Sequence, residues 1–266
     1  MSQSRLFIKN FFSLMMGKAI VRLTSFASTL YLARVLGPAE FGQFSLALAI
    51  GFVLSFVTNL GLDNLIVREI ARTPEKANRL LGDALILKTP VLPFGFLIAL
   101  PFASAESRPL FLLLAGYGIL HAYLLLFCAA FRGIERMEFQ ALILSVQIFL
   151  IAVGTIAAIW LTGEAIWAAV VHLVATAGVA LWAYGILLRN GLRPSYRWQP
   201  LAWRQLLQTV LPFGLVIVGL AIYDRQGIAL IKLLCGEAAA GWFNAAYSFI
   251  PILVNIPDII INTLFP

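Results

Sequence analysis

Lys18, Arg22, Ser25 and Thr29 follow one another at spacings of four, three and four residues inside an apolar stretch. On a helix this spacing places all four on one face. A cation at membrane depth costs roughly 2.5–3.5 kcal/mol to insert. Two cations on one stripe therefore predict a hydrated cavity or an anionic partner. For Lys18 the competing reading is a stem that reaches back to the nearer membrane surface. Arg22 lies deeper and carries more of the argument. Asp224 and Arg225 form a second charged point in a long uncharged run. Adjacent helical residues point about 100° apart, so each can line a cavity without the other. The structural alternative is a buried ion pair of Asp224 with Arg22 or Lys18.

The elements that must position these groups are membrane helices. The chain has 266 residues, of which 61% are hydrophobic and only 12% charged, with a mean hydropathy of +0.94. A soluble domain is about 45–50% apolar and about 25% charged. A helix crosses the hydrocarbon with roughly 20 apolar residues. Uncharged runs of that size are Phe41–Leu62, Leu110–Phe131, Phe139–Gly163, Ala165–Leu188 and Ala238–Pro257. Less clean spans cover 10–35, 84–105 and 209–234. Eight candidate helices result. None alternates in polarity as a barrel strand would. The first span is too long, and too charged at Lys18 and Arg22, to be a cleaved signal segment.

Two stretches repeat. Gly37, Ala39, Gly42, Phe44 and Ala47 recur as Gly236, Ala238, Gly241, Phe243 and Ala246 without a gap, an offset of 199 residues. Each copy follows a charged apolar span and opens another. A repeat this long in a membrane chain predicts two helical bundles with a pathway between them. The offset maps Arg225 onto position 26, about one helical turn beyond Arg22. The expected fold is all-α, a polytopic membrane helical bundle. It has a six-helix N-lobe at 1–188, a cytoplasmic amphipathic linker at 189–208, and the first two helices of a repeated C-lobe at 209–266. Within the linker, Leu201, Trp203, Leu206 and Leu207 fall partly on one face, and Pro194 and Pro200 interrupt the segment.

Lys and Arg in short loops favour the cytoplasm. With the N-terminus inside, Arg5, Lys9, Arg68, Arg72, Lys76, Arg79, Lys88, Arg132, Arg136, Arg189, Arg193, Arg197 and Arg204 lie on the inner side. Only Arg34, Arg108 and Lys232 lie outside. That asymmetry sets the orientation. It also explains the net charge of +7 without nucleic acid, since the charges are scattered over short loops.

Other polar residues have ordinary readings beside functional ones. His121 and His172 suit a proton relay or, more simply, satisfied core positions, because neither has an acid one turn away. Asn59, Asp63 and Asn64 at the end of helix 2 suit sugar hydroxyls or helix capping. Arg132, Glu135 and Arg136 read as a solvated inner loop. Pro38 and Gly42 hold helices 1 and 2 as a hairpin. Cys128 and Cys235 form no ligand pattern and read as small buried apolar residues. No phosphate-binding loop or metal cluster occurs, so no cofactor is expected.

Ala33 to Ala47, ARVLGPAEFGQFSLA, resembles the first outer turn of Wzx-type oligosaccharide flippases, the polysaccharide-biosynthesis membrane proteins. Gly61 to Arg72, GLDNLIVREIAR, is similar to that family's end of helix 2, and Phe131 to Met137, FRGIERM, to its loop between helices 4 and 5. The motifs sit in family order and spacing, and the resemblance covers the whole chain. The family belongs to the multidrug/oligosaccharidyl-lipid/polysaccharide exporter superfamily. Its members have twelve or more helices in two six-helix lobes, so ending at Pro266 leads us to expect a C-terminally truncated member.

The resemblance implies a multi-pass protein of the bacterial cytoplasmic (inner) membrane, acting in polysaccharide or lipopolysaccharide assembly. Its implied partners are membrane lipids, other glycan-assembly proteins and a lipid-linked oligosaccharide diphosphate. Lys18, Arg22, Ser25, Asp224 and Arg225 suit the diphosphate: Arg offers a planar bidentate fork and Lys a point charge. The expected function is passage of that lipid from the inner to the outer leaflet by alternating access between the lobes. A lipid II flippase, a cation-coupled drug antiporter and an inactive fragment are the alternatives. A polyprenol-dependent enzyme would need clustered acids and a sizeable outer loop, which the short outer turns do not supply. A structural scaffold would not need cations within the membrane.

Overall fold

A computed structural model gives the fold. It describes the backbone of residues 3–196 and 199–250, and side chains from Thr24 onward apart from those of 201, 202 and 205. Among the described residues the secondary structure is helical, without strands. In order these are α1 (Gln3–Asn59), α2 (Leu62–Arg72), α3 (Ala77–Lys88), α4 (Val91–Ala99), α5 (Arg108–Gly133), α6 (Met137–Thr162), α7 (Ala165–Arg189), α8 (Pro200–Cys235) and α9 (Glu237–Tyr247). Among the described residues, six helical stretches are long and apolar enough to cross a membrane. The first, Thr24–Arg72, runs 49 residues and takes in parts of both helix 1 and helix 2. α1 turns at Gly37 (φ 75, ψ 170) into two limbs. The eighth expected span is described as far as Ile250, and α9 makes up its part to Tyr247.

Local chemistry places the turns. Gly37 and Gly236 (φ 88, ψ 178) share one left-handed extended conformation that favours glycine. Pro38 and Pro200 follow helix starts, where a missing N–H costs nothing. Gly163 closes α6 in the left-handed region, and its N–H donates to Ile159 O at 2.9 Å. Glu40 reaches across the same end of the bundle, where its Oε1 accepts the N–H of Ala165 at the start of α7, at 2.8 Å.

The two repeated turns pack against each other. A Cβ on Gly42 would come within 2.1 Å of Glu237 O, and one on Gly241 within 2.0 Å of Pro38 O. These contacts are reciprocal under the 199-residue offset: each glycine meets the backbone just beyond the other's turn. Asn244 Nδ2 donates to its own counterpart, Ser45 Oγ, at 2.8 Å. Gln43 Nε2 donates to Glu237 Oε2 at 2.6 Å beside them. Glycine permits helices to approach this closely in a membrane, where no water must be expelled to drive the contact.

At the opposite, basic end the amphipathic stretch around Leu201–Leu207 and the span expected from 209 form one helix, α8. It starts at Pro200 and runs unbroken for 36 residues. The segment before it is strapped to α3. Ser195 N donates to Asn78 O and Arg193 N to Asn78 Oδ1, both at 2.8 Å. Ser195 O covers Gly82, where a Cβ would meet it at 2.0 Å. Trp203 is buried, and its Nε1–H donates to Asp83 Oδ1 at 2.7 Å. The indole therefore holds a buried acid of α3 in addition to presenting an apolar face.

Candidate functional site

Arg225 sits near the middle of the apolar stretch of α8. Its guanidinium lies 4.9 Å from the Phe52 ring centroid, on the second limb of α1. Phe52 is held there by close packing of that limb on α5. A Cβ on Gly118 would meet Gly51 O at 1.9 Å. Arg225 Nε contacts Asp224 Oδ2 at 3.1 Å, and Tyr247 Oη of α9 donates to Asp224 Oδ1 at 2.9 Å. Tyr247 stacks on Phe243. Three segments thus assemble one charged site, with about half of the Asp224 side chain and a third of Arg225 still open.

Asp224 and Arg225 pair with each other, the long Arg225 side chain bridging the angle between neighbouring positions. Ser25 is exposed on α1, and its carbonyl accepts from Thr29 Oγ1 at 3.0 Å. Lys18 and Arg22 lie on α1, but their side chains fall outside the described residues. Position 26, the counterpart of Arg225, is Phe26, which packs edge-on against Phe249 at 4.8 Å. The first limb of α1 therefore approaches the end of α9, much as α8 approaches the second limb of α1.

Sequence reading placed Lys88 among loop charges, and the structure buries it completely. Its ammonium contacts Asp63 Oδ1 at 3.4 Å and donates to Ala122 O at 2.7 Å. Asn59 Nδ2 donates to Asp63 Oδ2 at 2.6 Å, and Asn59 Oδ1 accepts from Asp63 N. The cluster fills the break where α1 ends and α2 begins, with Leu60 at φ 44 and Gly61 at φ 78. Asn59 and Asp63 thus serve a helix junction. The available signal was position: Lys88 falls inside the apolar span 84–105, not before it. Cys128 is buried as expected, whereas Cys235 is exposed because it ends α8 at the turn.

His172 and His121 differ. His172 Nδ1–H donates to Ala168 O at 2.8 Å and is satisfied within its own helix. His121 is stacked on Tyr117, and its Nδ1 receives an N–H from Gln147 Nε2 at 3.0 Å. No group of three or more metal-ligating residues occurs among the described residues.

The family model for polysaccharide biosynthesis protein matches residues 7–266. The chain belongs to that family. No curated protein matches the sequence. Among solved structures, one titled "protein A" aligns over 95% of this chain and 62% of its own, at 15% identity and TM-score 0.69. An inward-facing multidrug resistance MATE family transporter of the MOP superfamily aligns over 93% and 58%, at 20% identity and TM-score 0.56. A MOP superfamily transporter from Pyrococcus furiosus, titled for the reverse polarity of its binding pocket, aligns over 89% and 57%, at 18% identity and TM-score 0.52. The family member described here spans about three fifths of each of these chains and shares their fold as a multi-pass membrane protein.

Proposed function

We propose that this chain forms part of a flippase for a polyprenyl-diphosphate-linked oligosaccharide, which crosses from the inner to the outer leaflet by alternating access. In this reading residues 1–188 act as one lobe, and α8 and α9 begin a second. Arg22 and Arg225, with Lys18 and Ser25 beside them, attract the diphosphate, and Asp224 holds Arg225 in place when the site is empty. The lipid tail stays in the bilayer while the head group passes. The observation that carries the reading is Arg225, about a third open near the middle of an apolar helix, held over Phe52 and beside Asp224. A cation at this depth needs an anionic or aqueous neighbour. Family membership and the likeness to transporter folds support the same reading.

In cells whose surface glycan depends on the complete protein, Arg22→Ala or Arg225→Ala is expected to abolish surface glycan while protein level is retained. Arg22→Lys is expected to keep part of the activity, because charge survives and the bidentate fork is lost. Normal glycan in both alanine variants would overturn the assignment.

A further inference from the structure

Behind Phe52 lies a polar group that the diphosphate reading leaves without a role. Phe52 packs edge-on against both Tyr117 and His121, with centroids at 6.3 and 6.4 Å. One phenyl ring therefore separates the Arg225 guanidinium from the His121 imidazole. Gln147 of α6 spends both amide hydrogens here: Nε2 donates to His121 Nδ1 and to Thr176 Oγ1 of α7, each at 3.0 Å. Gln147 and Thr176 are buried. An Nδ1 that accepts belongs to a neutral imidazole with its proton on Nε2.

The same three side chains can hold the charged form. If His121 takes a proton on Nδ1, the imidazole becomes an imidazolium and Nδ1 becomes a donor. A half-turn of the Gln147 amide then presents Oε1, which accepts from Nδ1–H and from the Thr176 hydroxyl. His121 Nδ1 and the Thr176 hydroxyl each keep a bond to Gln147 in both arrangements, and the turned Nε2 takes the place that Oε1 held. His172 has no such freedom, since its Nδ1–H is committed to a carbonyl.

The groups around His121 define its field. Lys88 of α3 binds the carbonyl of the next residue, Ala122, and is balanced by Asp63 of α2. Tyr117 of α5 stacks on His121 and also meets His172 of α7 edge-on at 5.3 Å. Arg225 of α8, balanced by Asp224, lies across Phe52.

We propose that His121 is a proton-binding residue coupled to the Arg225 site through Phe52. Protonation places a second cation against the ring that holds Arg225. It loosens the guanidinium from Phe52 and makes the site more attractive to a diphosphate. By linkage, the bound anion in turn favours the proton on His121. This rests on the diphosphate reading and adds a proton to it.

The test uses the purified protein in lipid nanodiscs and farnesyl diphosphate as the probe, with affinity measured at about pH 5.5 and about pH 8, either side of the histidine range. The probe's own ionisation is common to all variants and cancels in their ratios. Wild type is expected to tighten on acidification by about tenfold more than His121→Gln does. Calorimetry in buffers of different ionisation enthalpy should show proton uptake on binding that His121→Gln lacks. Identical pH profiles and proton uptake in wild type and His121→Gln, beside lost binding in Arg225→Ala, would overturn the proton link alone. Undiminished binding in Arg225→Ala would overturn the diphosphate reading and this inference together.

Discussion

Ser45 and Asn244 stand 199 residues apart in the chain, and Asn244 Nδ2 donates to Ser45 Oγ at 2.8 Å. They are equivalent positions of the repeat, so the bond joins one copy to the other at the place where the copies meet. Gly42 and Gly241, one turn before them, bring the two backbones into direct contact. Any alternation between the two parts of the molecule that exposes this end must break this seam.

The seam gives the first prediction. Cysteines at Ser45 and Asn244 should be joined by a short thiol-reactive cross-linker. Gly241→Leu on that background should suppress the cross-link, because the nearest atom to a Cβ there is the backbone oxygen of Pro38. Undiminished cross-linking in the leucine variant would mean that the glycines do not set the approach.

A second prediction concerns the ion pair at the α1–α2 break. Lys88→Met leaves Asp63 buried without its cation. Breaking a buried pair from one side costs about 3–5 kcal/mol. Thermal or denaturant unfolding in detergent should show that loss. Lys88→Met/Asp63→Asn should recover much of it, since the double variant buries no charge. A single variant as stable as wild type would show that the pair is dispensable to the junction.

The strap at the basic end can be measured too. Trp203→Phe keeps an aromatic ring, though a smaller one, and removes the N–H that serves Asp83. An unsatisfied buried acceptor costs about 1–3 kcal/mol. The segment between α7 and α8 should then be cut more readily by protease, and the tryptophan-free site should lose its protection before α5–α7 unfold. Equal cleavage rates in the two proteins would assign the strap to the contacts of Asn78 with Arg193 and Ser195 and of Arg79 with Gln199.

Orientation is open to direct labelling. The excess of Lys and Arg on one side predicts that cysteines at Glu106 and Glu164 react with an impermeant reagent from outside the cell, and that one at Lys76 does not. Reversed labelling would invert the direction assigned to transport.

The sequence by itself determined the elements. Apolar runs of membrane length become helices because the bilayer leaves backbone polar groups no other partner. The repeated glycines marked both turns, since few other residues adopt that backbone. Arg225 and Asp224 stood out because charge is costly where they sit. What only the tertiary structure decided is which charges meet. Lys88 looks like a loop lysine until α2 and α5 fold over it and supply Asp63 and the Ala122 carbonyl. His121 looks solitary because its partner, Gln147, stands 26 residues away on another helix and is itself held by Thr176 of a third. Phe52 is an ordinary apolar residue until α8 lays Arg225 over its ring. Helix periodicity reports only neighbours three or four residues apart. Contacts between helices depend on how the helices cross, and that is fixed by packing, here by glycine against backbone at Gly51, Gly118, Gly42 and Gly241.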